Sequence, residues 1–150
     1  MRASHNTTGR GATADPTLCP LRLAVPSREY GYGEPMKALS VKQPWAWAIL
    51  QGGKDVENRT WPTSYRGPLL IHAARVDSPG GWGYLDHLGL TLPVDPPTGG
   101  IIGVVDVVDC VHGYPSPWAL EGYWHWVLAN PRARPFRRCP GRLGLFEVRG

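Results

Sequence analysis

Only 19% of the 150 residues are charged, and just two are phenylalanine. No stretch approaches the roughly 20 apolar residues of a membrane span, so no membrane partner is expected. The three cysteines, Cys19, Cys110 and Cys139, form no CxxC pair. Their odd number fits a reducing cytoplasm better than a secreted disulfide scaffold. Cysteine and histidine show no ligand spacing for zinc, and no metal or other cofactor is expected. A Walker loop, a GxSxG elbow and an HExxH helix are all missing, which removes the commonest signatures of nucleotide hydrolysis, serine esterases and zinc proteases. The apolar run Leu18 to Val25 is interrupted by Pro20 and Arg22 and does not read as a signal peptide.

What is present points to short strands and many turns. There are 19 glycines and 16 prolines without a fixed period, which excludes collagen and argues against a helical bundle. At 42% hydrophobic residues the chain can bury a core, and its length suits one domain. Seven tryptophans are more than core filling alone asks for. The formal net charge is +4, and 13 of the 16 basic residues are arginine, whose flat fork both stacks and binds phosphate.

The chain changes character at Met36. Residues 1–35 are rich in Gly, Pro, Ser, Thr and Asn and show no sustained period, so they read as a disordered tail or a misassigned start. Met36 to Val41 reads as a strand, in which Leu39 and Val41 alternate with Ser40 and Lys42. Gln43-Pro44 then opens a helix, with Trp45, Ala48 and Ile49 on one face and Gly52-Gly53 as its stop. Lys54 to Trp61 reads as a second strand. Alternation puts Asp55, Glu57, Arg59 and Trp61 on one face and Lys54, Val56 and Asn58 on the other. Leu69 to Ala74 gives a third strand, and Asp77-Ser78-Pro79 a cap for a short helix reaching Leu88. Ile101 to Cys110 is the longest predicted strand and a central one, interrupted by Asp106 and Asp109. One of these carboxylates is expected to pair with an arginine. Tyr123 to Leu128 is strand-like, Asn130 to Gly141 an Arg/Pro-rich loop, and Leu143 to Val148 a last strand. The sum is six strands and two short helices, mainly β, forming a small, partly closed barrel.

The residues Glu57, Arg59 and Trp61 would offer an acceptor, a forked donor and a stacking plate along one face, a set that suits a nucleobase. A surface ion pair Glu57–Arg59 beside a half-buried Trp61 is the plainer alternative. Lys54 reads either as a solvated lysine or as one held against an apolar wall, and His72 as a core histidine or one at a cleft rim. Six arginines lie between Arg132 and Arg149, facing only Glu147. Of these Arg134, Arg137 and Arg138 are candidates to bind phosphate.

The segment Leu39 to Trp61, with Gly52/Gly53, Lys54, Glu57 and Arg59, resembles the G-x-K-x-x-E-x-R opening of the ASCH domain, the activating-signal-cointegrator homology family. The likeness continues through Tyr65-Arg66-Gly67, Ile71-His72-Ala73, the strand from Ile101 and the segments Trp126 to Pro131 and Gly144 to Val148. It covers residues 36–149. The resemblance implies a PUA-like α+β barrel with a cleft beside the first helix that binds RNA or a modified nucleobase or nucleoside. Lys54, Glu57 and Arg59 would line it, with Trp61 or Trp45 stacking and His72 nearby. In a bacterial branch that hydrolyses 4-acetylcytidine the motif reads lysine, threonine nucleophile, arginine. Here Glu57 stands where that threonine does. The alternatives are therefore a small amidohydrolase, with Lys54 and Glu57 as its catalytic pair, and a protein-interaction module.

Overall fold

The computed structural model describes residues 34–149. The tail reading of residues 1–35 falls almost wholly outside them. Six strands and two helices follow in the order β1 (Met36–Val41), α1 (Trp45–Gln51), β2 (Val56–Arg59), β3 (Gly67–Ala73), α2 (Gly81–His87), β4 (Gly100–Val111), β5 (Trp124–Arg138) and β6 (Leu145–Val148). They form one mixed sheet in the order β2-β5-β4-β3-β1-β6. The pair β1–β3 is parallel and every other pair antiparallel, so α1 and β2 lie on the crossover between the two parallel strands.

Period-two alternation sorts the side chains of this sheet onto two faces. Leu39 and Val41 of β1 join Leu69, Ile71 and Ala73 of β3, Val105 and Val107 of β4 and Trp126 of β5 in the main core, which α1 covers with Ala46 and Ile49. Ala38, Leu70, Ile101, Val104, Phe146 and Val148 form a smaller cluster on the reverse face. Strand β4 is central, as its apolar run predicts, and Gly103 lets α1 approach it: a Cβ there would fall 2.6 Å from Leu50 Cδ1.

The sheet is strongly curled. Strands β2 and β1 stand four places apart, roughly 19 Å in a flat sheet. Yet Arg59 of β2 donates from Nη2 to the Ser40 carbonyl of β1 at 2.8 Å. One arginine side chain spans that gap only because the sheet wraps round, giving the partly closed barrel read from the sequence.

Three local readings need correction, and a fourth is exceeded. The predicted loop from Asn130 is in fact the outer half of β5, which runs on to Arg138 and is longer than β4. Pairing along β4 outweighs the prolines, and register shifts near Ile101, Val104 and Val107 absorb the irregularity, with Asn130 at φ 51°. The second strand is only Val56–Arg59. Helix α2 is entered through Gly80 at φ 72°, not capped by Asp77 or Ser78. Asp77 instead accepts a hydrogen bond from the Trp82 indole at 3.0 Å. Finally, both β4 carboxylates find arginines, Asp106 with Arg132 at 3.1 Å and Asp109 with Arg66 at 3.5 Å.

Candidate functional site

Helix α1 sets the geometry of the motif that follows it. The buried Gln43 side chain accepts from the Trp47 N–H at 2.9 Å and donates to the Pro97 carbonyl at 3.1 Å, fixing the start of the helix. At the other end Gly53 adopts φ 77°, a left-handed turn that favours glycine, and the Lys54 N–H returns to the Ala48 carbonyl at 3.0 Å. Lys54 is thereby tied to the end of α1 before β2 begins. Strict alternation does not govern it, and its ammonium swings to the same side as Glu57, against the expectation of opposite faces.

Lys54, Glu57 and Arg59 form one ionic cluster. Glu57 Oε2 accepts from Lys54 Nζ at 3.2 Å, and Glu57 Oε1 from Arg59 Nε at 3.0 Å. Lys54 also donates to the Val56 carbonyl. The side chains of Lys54 and Glu57 are 5% and 10% exposed, that of Arg59 23%. The cluster is therefore no surface ion pair: two of its members are almost sealed, and Arg59 is the one that reaches solvent. Each carboxylate oxygen of Glu57 accepts from a cation.

Trp61, one of the two stacking candidates, lies close to this cluster in the fold. Glu57 pairs across the ladder with Trp126, and Arg59 with Trp124. Trp61, just beyond β2, packs edge-on against Trp126 with ring centroids 4.7 Å apart, and its carbonyl accepts from the Trp126 indole at 3.2 Å. Trp61 and Trp45 are both partly buried against the main core, and Trp45 also contacts Tyr84. Trp124 is half-buried and lies over His112 at 3.9 Å.

His72 does not join this set. It projects from the reverse face of β3, where Nδ1 meets Ser40 Oγ at 2.9 Å and Nε2 meets the Cys139 carbonyl at 2.8 Å. The sequence did not single out Ser40 or this contact, because the residues involved lie far apart in the chain.

The three phosphate candidates stand on the outer half of β5. Arg134, Arg137 and Arg138 are all exposed, and Phe136 between them is 44% exposed. Arg137 is held by the Arg149 carbonyl. Arg134 and Arg138 have no acidic partner among the described residues. Among those residues there is also no group of three or more His, Cys, Asp or Glu placed to hold a metal ion. No helix among them is long and apolar enough to cross a membrane.

The family model of the ASCH domain matches residues 39–136. Over 81 residues, 49% of the chain, the sequence is 40% identical to activating signal cointegrator 1 of Homo sapiens. Over 110 residues, 67% of the chain, it is 33% identical to activating signal cointegrator 1 of Mus musculus. The matched stretches span 14% and 19% of those two relatives, so the likeness is to one part of much longer proteins.

Proposed function

The chain belongs to the ASCH domain family, and from that premise we propose that it binds RNA, with a phosphate path along the outer half of β5 and a base-reading cleft beside α1. The observation that carries the proposal is the row of exposed arginines on β5 flanking an exposed phenylalanine, with Arg134 and Arg138 unneutralised by any acid among the described residues. Arginines track the backbone and release its counterions, and an aromatic ring among them accepts a base. In the cleft Arg59 reaches solvent at the edge of the ionic cluster; Glu57 holds its Nε and the Ser40 carbonyl its Nη2, which leaves Nη1 for a ligand. A modified base or nucleoside would stack on Trp61 or Trp45 and present an acceptor edge to Arg59.

The test is fluorescence anisotropy of a labelled single-stranded RNA at several salt concentrations. Changing Arg134, Arg137 and Arg138 together to serine is expected to reduce the slope of log K against log salt by about 2, because each phosphate neutralised on a single strand accounts for roughly 0.7 of that slope. Base preference is expected to survive. An unchanged slope would remove the phosphate path from β5. Trp61→Ala is expected to do the reverse, leaving the slope intact while weakening binding by about 1–3 kcal/mol, the worth of one stacked base. Equal binding by the Trp61 variant would move base recognition away from this cleft.

A further inference from the structure

A concavity opens on the reverse face of the sheet, away from the ionic cluster. Its volume is about 410 Å³, and its lining includes Ser40, His72, Arg75, Gly99 and Arg142. That volume lies in the range of small-ligand sites. Arg75 follows β3, Gly99 precedes β4, and Arg142 lies on the connection from β5 to β6.

The floor is fixed by hydrogen bonds. The Cys139 carbonyl only accepts, so His72 Nε2 carries a hydrogen and donates to it. Nδ1 bonds the Ser40 hydroxyl at 2.9 Å. This chain of bonds anchors Cys139, whose own N–H donates to the Gly99 carbonyl at 3.3 Å. Gly141 lies directly over the pair, where a Cβ would fall 2.6 Å from Ser40 Oγ and 2.7 Å from His72 Cε1. The connection bearing Arg142 is thus pressed onto β1 and β3. Across from it, Arg75 lies over Gly99, which is at φ 76° and where a Cβ would come 3.1 Å from Arg75 Nε. Backbone packing places both arginines; neither has an acidic partner among the described residues. No carboxylate among the described residues lines the pocket, and Leu143 stands fully exposed at its edge.

From this arrangement we propose that the pocket binds a phosphate monoester attached to a nucleoside, with Arg75 and Arg142 clamping the phosphate. Two unpaired guanidinium groups match a group carrying a charge of about −1.5 to −2 at neutral pH better than the single charge of an internal phosphodiester. The Ser40–His72–Cys139 chain positions Arg142, and Leu143 covers the sugar or base. Such a monoester could be a free nucleotide or the 5′ end of an RNA. The proposal does not rest on RNA binding along β5.

The full chain is titrated with AMP and with adenosine, and separately with two 12-nucleotide RNAs that differ only in a 5′-phosphate or 5′-hydroxyl. Support is tenfold or greater preference for the phosphorylated member of either pair. Preference in the first pair identifies free nucleotide as the source, and preference in the second alone identifies the RNA end. Arg75→Ser and Arg142→Ser should each reduce that preference at least fivefold without changing the thermal melt, since both side chains are exposed. Arg134→Ser with Arg138→Ser should leave it intact even where overall RNA affinity falls. Equal binding within both pairs would overturn the proposal, as would a preference that survives removal of both pocket arginines.

Discussion

Glu57→Ala is expected to destabilise the fold by about 3–5 kcal/mol, the cost of breaking a buried ion pair by removing one partner. The reason is the state in which it leaves Lys54. That side chain is 5% exposed, and without Glu57 its ammonium keeps the Val56 carbonyl but no counter-charge. Arg59 loses its second anchor as well, and with it part of the link from β2 to the Ser40 carbonyl that holds the curled sheet together. Urea or thermal unfolding checks the value, with a melting temperature lowered by more than about 10 °C for a domain of this size. Replacing Lys54 and Glu57 together by methionine and leucine should recover much of the loss, because apolar side chains of similar volume need no counter-charge. A loss under about 1 kcal/mol for Glu57→Ala would mean that water enters the cluster freely, and Lys54 and Glu57 would then behave as an ordinary exposed pair.

The same cluster shows what the sequence could and could not reveal. The two-residue spacing of Glu57 and Arg59 is enough to put them on one face, since a strand alternates. Lys54 escapes that rule because it precedes β2, which begins at Val56, and its N–H is tied to the Ala48 carbonyl at the end of α1. The six strands, the position of β4 at the centre and the short first helix are legible from apolar patterning and glycine stops. The outer half of β5 is not. Pro131, Pro135 and the arginines read locally as a loop, and only the open edge of β4, a long-range partner, makes them a strand. The reverse-face pocket is illegible for a related reason. Its lining comes from β1, β3, the approach to β4 and the connection before β6, and no local spacing joins Ser40 to Arg142.

The other large effect is expected at Trp126, where core and candidate cleft meet. Its side chain is fully buried and sits opposite Glu57 in the β2–β5 ladder. Trp126→Ala should cost about 3–5 kcal/mol, the range for removing a large aromatic from a core. Part of that comes from the edge-on packing with Trp61, since such aromatic pairs contribute about 0.5–1.5 kcal/mol beyond buried area. Part comes from the Trp61 carbonyl, which loses its indole donor. Trp126→Phe separates these contributions: it keeps most of the ring but not the N–H, so the hydrogen bond alone accounts for about 1 kcal/mol of its effect. Denaturant unfolding of both variants gives the two values. The consequence for binding follows from which partner is removed. Trp61 leaves β2 with its ring braced on Trp126 and its backbone tied to the same indole, so a base stacking on Trp61 meets a plate already held in orientation. Trp126→Phe should therefore keep the salt slope of RNA binding and weaken affinity less than Trp61→Ala does. If Trp126→Ala costs under about 1.5 kcal/mol, the core collapses around the missing ring. Trp61 would then owe its orientation to something other than this packing.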